Sequence, residues 1–310
     1  MRSPVNDRLV GDSLAIKQLR AKISRAAPSN VTVLIQGETG VGKELVALAL
    51  HQQSNRPHGP FVVANCAAIA ESLFESEFFG HVRGAFTGAA GTRLGMFQQA
   101  DDGTLFLDEV GEVPVESQAA LLRAIENKSF RPVGAEHESR SDVRIIAATN
   151  RDLAAEVERK AFRSDLYYRL GVIHIAVPPL REHIEDIPAL VQHFLGSMPS
   201  ANARAVSPTA LAELMSFHWP GNVRQLRAVL ESAAIMGQGK VIEPCDLNLS
   251  AAATAPTTPH GPLSPGPVQL PSWNLEEIEA VLIAKVLLKF CNLKPTPAER
   301  PHGPDSAKTR

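Results

Sequence analysis

A glycine-rich segment near the start of the chain has residue types and spacing suited to binding phosphate. Residues 37–43 read Gly-Glu-Thr-Gly-Val-Gly-Lys, which satisfies the pattern G-x-x-x-x-G-K. In such a loop the glycines let main-chain N–H groups surround phosphate oxygens, and Lys43 supplies a positive charge. A glycine-rich turn with a chance lysine is the alternative, but a strand-like run precedes this segment and a helical pattern follows it. The predicted nucleotide contacts are Gly37, Glu38, Thr39, Gly40, Val41, Gly42, Lys43 and Glu44.

Two adjacent acids form the second chemical motif. Glu44 stands where a Ser or Thr hydroxyl usually contacts Mg²⁺, so the metal must find its oxygens elsewhere. Asp108 and Glu109 follow the apolar run 105–107. This arrangement predicts that Asp108 lies near the metal and that Glu109 polarises a water molecule. Paired acids after a strand can also simply cap the next helix.

Apolar runs alternate with helical periodicities around these motifs. Strands are predicted at 31–35, 61–63, 104–107, 143–147 and 172–177, and helices at 12–23, 45–50 and 118–125. Such alternation is typical of a parallel α/β sheet flanked by helices. We therefore expect an α/β domain over residues 1–177.

The pattern becomes helical after Pro178 and Pro179. Residues 178–249 are predicted to form a small all-helical domain with helices at 184–195, 208–217 and 223–236. Residues 250–272 hold six prolines and are predicted to be a linker. A further helix is predicted within 273–291, and residues 292–310 are predicted to be a disordered tail.

The bulk composition favours a soluble globular protein. Hydrophobic residues make up 44% and charged residues 21%, and the net charge of −2 gives no global field for nucleic acid. Cys66, Cys245 and Cys291 lie far apart, which favours free thiols in a reducing compartment. Since no signal peptide and no apolar run of about 18 residues occurs, we expect a cytoplasmic protein without a membrane span.

The segment 79–89 connects the chain to a known family. It reads Phe-Gly-His-Val-Arg-Gly-Ala-Phe-Thr-Gly-Ala, which by its residues alone is an ordinary glycine-hinged surface loop with one exposed aromatic ring. It resembles the loop by which bacterial enhancer-binding proteins, the sigma-54 activators of the AAA+ superfamily, bind sigma-54. The resemblance covers residues 9–249 and includes 95–109, 162–170 and 219–226. The residues that match the partner-binding loop are Gly84, Ala85, Phe86, Thr87, Gly88 and Ala89.

The resemblance implies a fold, two cofactors and a partner. The fold would be an AAA+ P-loop parallel sheet followed by a helical lid, and the cofactors would be ATP and Mg²⁺. The activity would be ATP hydrolysis that remodels the closed complex of sigma-54 RNA polymerase holoenzyme, within a ring that is hexameric in the family. In that family the phosphate loop also ends in Glu, so Glu44 fits.

Roles for single residues follow from the same resemblance. Asn65 matches the asparagine that restrains the catalytic glutamate, although alone it would be interpreted as a strand-end cap. Thr149 and Asn150 match the sensor of the γ-phosphate, and Asn150 could also be a plain helix N-cap. Arg224 matches the second sensor, which contacts nucleotide from the lid.

Two arginines imply a shared site between subunits. Arg163 and Arg169 match the arginine fingers that contact the neighbour's ATP, an arrangement worth roughly 10³ to 10⁵ in rate. Either could instead be a structural salt-bridge partner. Residues 129–142 match a second loop that would move with the loop at 84–89.

The resemblance does not extend over the whole family architecture. Because the motor pattern begins within the first dozen residues, we expect no attached sensory domain, so that control would come from a separate protein, as in two-component regulation, from expression level or from nowhere. The helix from Asn274 to Phe290 resembles the start of a helix-turn-helix domain, but the prolines that follow argue against sequence-specific DNA binding. The alternatives are a modulatory subunit that joins a full-length activator, and an AAA+ remodeller of another client.

Overall fold

The computed structural model describes residues 9–198, 205–237 and 239–249, all within one compact unit that spans residues 1–255. The predicted linker at 250–272, helix at 273–291 and tail at 292–310 lie outside the described residues, as does Cys291. Within them, Cys66 and Cys245 are free thiols, as predicted.

Five of the described strands form one parallel sheet, which confirms the predicted α/β fold class. Across the sheet the order is Phe61–Asn65, Thr104–Asp108, Arg144–Thr149, Val33–Gln36 and Ile173–Ala176. The strands of the chain are β1 (Val33–Gln36), β2 (Phe61–Asn65), β3 (Gly80–His81), β4 (Arg93–Leu94), β5 (Thr104–Asp108), β6 (Ser129–Phe130), β7 (Ser139–Arg140), β8 (Arg144–Thr149), β9 (Ile173–Ala176), β10 (Ala205–Val206) and β11 (Val241–Ile242). The helices are α1 (Leu14–Ala26), α2 (Lys43–Gln52), α3 (Phe74–Phe79), α4 (Met96–Gln99), α5 (Val115–Asn127), α6 (Leu153–Glu158), α7 (Ser164–Leu170), α8 (Ile187–Ser197), α9 (Pro208–Ser216) and α10 (Asn222–Met236). Each of the five predicted strands is present.

The central strands are buried on both faces, which explains their unbroken apolar runs. In β5, Leu105 and Leu107 pack into one hydrophobic cluster, while Phe106 packs into the cluster on the opposite face. This alternation follows from the two-residue period of a strand. The helices that cover the two faces close the α/β layers.

Arg144 is an exception at the start of β8, because its side chain is charged and only 1% exposed. Its guanidinium donates to the carbonyl oxygens of Ala27 at 2.7 Å, Ala26 at 3.1 Å and Leu50 at 3.4 Å. Burial lowers the Arg144 pKa to about 10, so the group stays charged at neutral pH. It therefore places a positive charge at the C-terminal ends of α1 and α2, where a helix dipole favours one.

The lid that follows β9 is built on a hydrophobic core of its own, in which α8, α9 and α10 surround the fully buried Trp219. The Trp219 indole N–H donates to the Leu214 carbonyl at 2.8 Å. The helical lid is confirmed, with one addition: β10 and β11 form a short parallel pair. Two residues per strand are too few to give a period in the sequence. Across the described residues, no helix has the length and apolar character needed to cross a membrane.

Candidate nucleotide site

The topology brings the predicted motifs to one edge of the sheet. The phosphate loop leaves the end of β1, the paired acids end β5 and Thr149 ends β8. The register places Gln36 beside Thr149 and Asn65 beside Asp108. The carboxyl ends of parallel strands are where α/β proteins bind ligands.

The phosphate loop has the backbone that its glycines predict. Gly40 has φ +83° and Gly42 has φ +96°, a left-handed region that favours glycine. Gly42 is also the N-cap of α2, so the positive end of this helix opens at the loop. The sequence prediction of strand, loop and helix is confirmed.

Lys43 is the cation of the site and is 7% exposed. Its Nζ donates to the Gly37 carbonyl at 3.0 Å and lies 3.3 Å from Glu109 Oε1. The lysine therefore joins the phosphate loop to the acids at the end of β5.

The conformation of Glu109 is set by its backbone and by contacts to both of its carboxylate oxygens. Its backbone adopts φ +52° and ψ +51°, a left-handed conformation that is costly for a non-glycine residue and is often found at functional sites. One carboxylate oxygen contacts Lys43, and the other accepts the Asn150 N–H at 3.1 Å. The side chain is thus fixed at the mouth of the phosphate loop, in a position to orient water.

Asp108 is suited to a cation. Burial and the neighbouring Glu109 charge raise its pKa, and Lys43 offsets part of that shift. No group of three or more His, Cys, Asp or Glu side chains could hold a metal by itself in the described ranges. Asp108 fits Mg²⁺ that takes its remaining oxygens from phosphate and water, which is the usual coordination of this ion.

Asn150 links the phosphate loop to Glu109. Besides its N–H contact with Glu109, its Nδ2 donates to Thr39 Oγ1 at 3.0 Å. The alternative interpretation of Asn150 as a helix N-cap is wrong, because Asp152 caps α6 by accepting the N–H groups of Ala154 and Ala155. Thr149 is buried and accepts the Arg151 N–H through its hydroxyl at 3.0 Å.

Asn65 makes a local contact in this structure. Its Oδ1 accepts the Ala67 N–H at 3.1 Å and caps the short 3₁₀ turn Cys66–Ala68. The strand-end cap that the sequence allowed is therefore present. Glu109 has its hydrogen bonds with Lys43 and Asn150 instead, so the restraint of Glu109 by Asn65 stays a prediction.

A cavity of about 500 Å³ opens between the phosphate loop, the N-terminal segment and the lid. Predicted site residues that line it are Thr39, Gly40, Val41, Gly42, Lys43, Glu44, Asp108, Glu109 and Arg224. Leu9, Val10, Pro178 and Phe194 add an apolar wall that was not predicted from the sequence. One end of the cavity therefore suits phosphates and the other suits a flat apolar ring.

The N-terminal segment of this wall is fixed to the lid. Asp186 Oδ1 accepts the N–H groups of Asp12 at 2.7 Å and Ser13 at 2.9 Å, and its Oδ2 lies 3.2 Å from His183 Nδ1. Arg20 donates to the carbonyl oxygens of Leu9 and Gly11. Burial raises the Asp186 pKa, but the bonds from Ser13 and Asp12 outweigh it, so the pKa lies below its usual value.

The two predicted arginine fingers are not among the described residues that line the cavity. Arg169 is exposed in the last turn of α7. Arg163 is also exposed and forms a salt bridge with Asp165, with Nη2 to Oδ2 at 2.7 Å and Nε to Oδ1 at 3.0 Å. Arg163 does have the salt-bridge partner that the sequence left as an alternative.

The loop at 84–89 lies between β3 and β4, and its residues do not belong to the described lining of the cavity. Phe86 is 38% exposed and meets the His81 ring edge to face, with centroids 5.1 Å apart. Val133 joins the second loop to the residues just before this one, since its carbonyl accepts the Val82 N–H at 3.1 Å and its N–H donates to the Gly80 carbonyl at 2.8 Å. The second loop is therefore bonded to the segment from which the loop at 84–89 begins.

Comparisons with known proteins agree with this geometry. The family model described as sigma-54 interaction domain matches residues 9–176, and the one described as AAA+ ATPase lid domain matches residues 181–262. The Nif-specific regulatory protein of Herbaspirillum seropedicae is 48% identical over 239 residues, which are 76% of this chain and 44% of the relative. The response regulator protein PilR of Pseudomonas aeruginosa is 46% identical over 288 residues, or 92% of this chain and 64% of the relative.

A solved structure matches the fold as well. NtrX from Brucella abortus in complex with ADP has a TM-score of 0.73 and 35% identity, covering 92% of this chain and 62% of that one. The chain spans about half the length of the curated relatives that it matches. With its P-loop sheet, its lid and these matches, the chain belongs to the sigma-54 interaction domain family of AAA+ proteins.

Proposed function

We propose that the chain is an ATP-hydrolysing activator that binds sigma-54 and remodels the closed complex of its RNA polymerase in the cytoplasm. The observation that carries the proposal is the convergence of Lys43, Asp108 and Glu109 on one cavity, with Asn150 bonded to Glu109, while Phe86 is presented on a separate loop. A nucleotide site and a client site are both needed for this function.

The residues have distinct tasks in hydrolysis. Lys43 and the N-terminus of α2 bind the phosphates. Glu109, fixed by Lys43 and Asn150, orients the attacking water and accepts its proton. Asp108 would hold Mg²⁺, which neutralises charge on the phosphate oxygens when bound. The apolar wall at Leu9 and Val10 receives the adenine ring.

The site requires a second subunit in this proposal. Arg163 and Arg169 lie away from the cavity of their own chain, so they would contact the ATP of a neighbour. A closed ring, a hexamer as in the family, would give every site such a neighbour. One relative is named a response regulator protein, which fits control of this activity by a separate regulatory signal.

ATP turnover across a protein concentration series tests the enzymatic half of the proposal. Specific activity should rise with concentration as subunits assemble, and Glu109→Gln should lower turnover by about 10²- to 10⁴-fold while ATP still binds. A wild-type rate that is negligible at every concentration would contradict a self-assembling motor and favour a modulatory subunit.

Phe86→Ala tests the client half. We expect ATP turnover within about twofold of wild type and loss of sigma-54 binding, because an aromatic anchor carries much of such an interface. Leu94→Ala, an exposed apolar residue on the neighbouring strand β4, is the matched control. If wild-type protein turns over ATP but never binds sigma-54, the client is another protein.

A further inference from the structure

The phosphate loop is bonded directly to the lid through Glu38. Its carboxylate accepts two hydrogen bonds from the Arg181 guanidinium, with Nη1 to Oε2 at 2.9 Å and Nη2 to Oε1 at 2.6 Å. Such a bidentate pair fixes direction as well as distance. Arg181 belongs to the short 3₁₀ turn Leu180–Glu182 at the start of the lid. The second residue of the phosphate loop therefore faces the lid.

Asn222 completes the connection from inside the lid. It is fully buried at the first position of α10 and has φ +51°, which asparagine tolerates better than most residues. Its Nδ2 donates to Glu38 Oε2 at 3.0 Å and to the Thr39 carbonyl at 3.1 Å. Its Oδ1 accepts the Leu180 N–H at 2.9 Å. The Asn222 side chain thus bonds to the phosphate loop, at Glu38 and Thr39, and also to Leu180 at the start of the lid.

The main chains meet at the same place. The Gly40 carbonyl accepts the Arg224 N–H at 3.1 Å. A Cβ on Gly40 would lie only 2.3 Å from the Gly221 carbonyl oxygen. The loop therefore touches the turn of the helix that carries Arg224, with no room for a side chain between them.

The charge of Glu38 has a consequence for ligand binding. Its hydrogen bonds from Arg181 and Asn222 lower its pKa to about 2, so the carboxylate is ionised at neutral pH. An anion within a loop that binds phosphate would repel the ligand. The Arg181 guanidinium neutralises this charge, and its two hydrogen bonds hold the Glu38 carboxylate toward the lid.

We propose that Glu38, Arg181 and Asn222 form a latch, three positioning residues that hold the lid, and with it Arg224, against the phosphate loop. The latch rests on the proposed nucleotide site and goes beyond it, because it assigns the Glu38 side chain to the lid rather than to the nucleotide. It neutralises an anion beside the phosphates and fixes the lid over the cavity.

A double-mutant cycle tests the latch on the full chain. Arg181→Gln leaves the Glu38 carboxylate without its cationic partner, and we expect the Kd for ADP to rise roughly five- to tenfold. Glu38→Gln should raise it less, because the charge that then loses its partner is the Arg181 cation, which does not repel phosphate. In the double variant the Kd should return to that of Glu38→Gln alone. The rescue would show that the Glu38 charge left without its cation, rather than the loss of Arg181 itself, weakens ADP binding.

The matched control is the pair Arg159–Glu156 on and beside α6, in which Arg159 is exposed and the guanidinium and carboxylate lie 3.0 Å apart. Arg159→Gln should leave the Kd for ADP unchanged. The latch would be overturned if the fold-changes in Kd for ADP of Glu38→Gln and Arg181→Gln multiply in the double variant, or if neither variant changes the Kd. The nucleotide site would still be upheld in these cases, provided that wild-type protein binds ADP. Failure of wild-type protein to bind ADP would overturn both.

Discussion

The two parts of the candidate catalytic machinery are held in different ways. The cis half, which we define as Lys43, Asp108, Glu109 and Asn150, is joined by hydrogen bonds at the edge of the sheet. The arginines at helix α7 are exposed, and the Arg163 side chain is bonded to the nearby Asp165. Groups that act together within one chain can be preorganised by it, whereas the proposed arginine fingers would need to remain at the surface to reach another chain.

Mixing two inactive variants gives the largest effect and tests this contrast most directly. Arg169→Ala should lower ATP turnover by about 10³-fold or more, because an arginine finger stabilises transition-state charge. Its cis half stays intact, while Glu109→Gln keeps an intact Arg169. A one-to-one mixture should recover roughly a quarter of wild-type turnover, since random assembly pairs an intact cis half with an intact arginine at about one junction in four.

The control for this mixture is Arg159→Ala, an exposed arginine on another segment, which should turn over ATP like wild type. A mixture that stays inactive while both variants still assemble would mean that Arg169 does not act across subunits. The proposed difference between the cis half and the arginines at α7 would then be wrong.

Replacement of the lysine tests whether the cis half binds the phosphates. Lys43→Ala should weaken ADP binding by about 100-fold, because charge-assisted hydrogen bonds to phosphate are lost and Glu109 loses its ion pair. Isothermal titration calorimetry measures the change. Lys17→Ala, an exposed lysine on α1, is the control and should bind normally. ADP affinity within about threefold of wild type would exclude Lys43 as the phosphate-binding cation.

The smallest effect concerns the wall of the cavity, where the N-terminal segment is bonded to the lid through Asp186. The folded-state pKa of Asp186 is depressed, so its contribution to stability is full above the unfolded value of about 3.9 and is lost as pH falls through the lower folded value. Asp186→Asn should therefore lower the Tm by about 5 °C at pH 7, and the difference from wild type should shrink as pH falls below the unfolded value. Thermal unfolding of both proteins across this pH range measures the difference.

Glu185→Gln is the matched control, because this carboxylate is exposed one residue away. A difference between wild type and Asp186→Asn that stays constant as pH falls below about 3.9 would show that the charge of Asp186 does not stabilise the contact. The neighbouring His183 would then be the next residue to replace.

The phosphate loop and the paired acids could be predicted because the residues that carry their chemistry are adjacent in the sequence. The loop at 37–43 and the acids after 105–107 could be assigned with their strands and helices, and the structure has them in those elements. Alternation of strands and helices also predicted a parallel sheet, although not the order of its strands. That order depends on how the helices pack across both faces.

Contacts between distant segments could not be predicted. Glu38 was expected to contact nucleotide, yet its carboxylate binds Arg181, which lies 143 residues away. Leu9 and Val10 line the cavity, but as ordinary apolar residues before the first helix they gave no signal. The contact of Asn150 with Thr39 also spans 111 residues and follows from the sheet register.

The buried Arg144 has a consequence for how this chain folds. Its three partners are main-chain carbonyls of α1 and α2, so its charge is satisfied only when both helices end against the first residue of β8. Separation of α1 would leave a buried cation with few partners, at a cost of several kcal/mol. Segments more than 90 residues apart should therefore unfold in one cooperative step, and a fragment that begins after α1 should fail to fold.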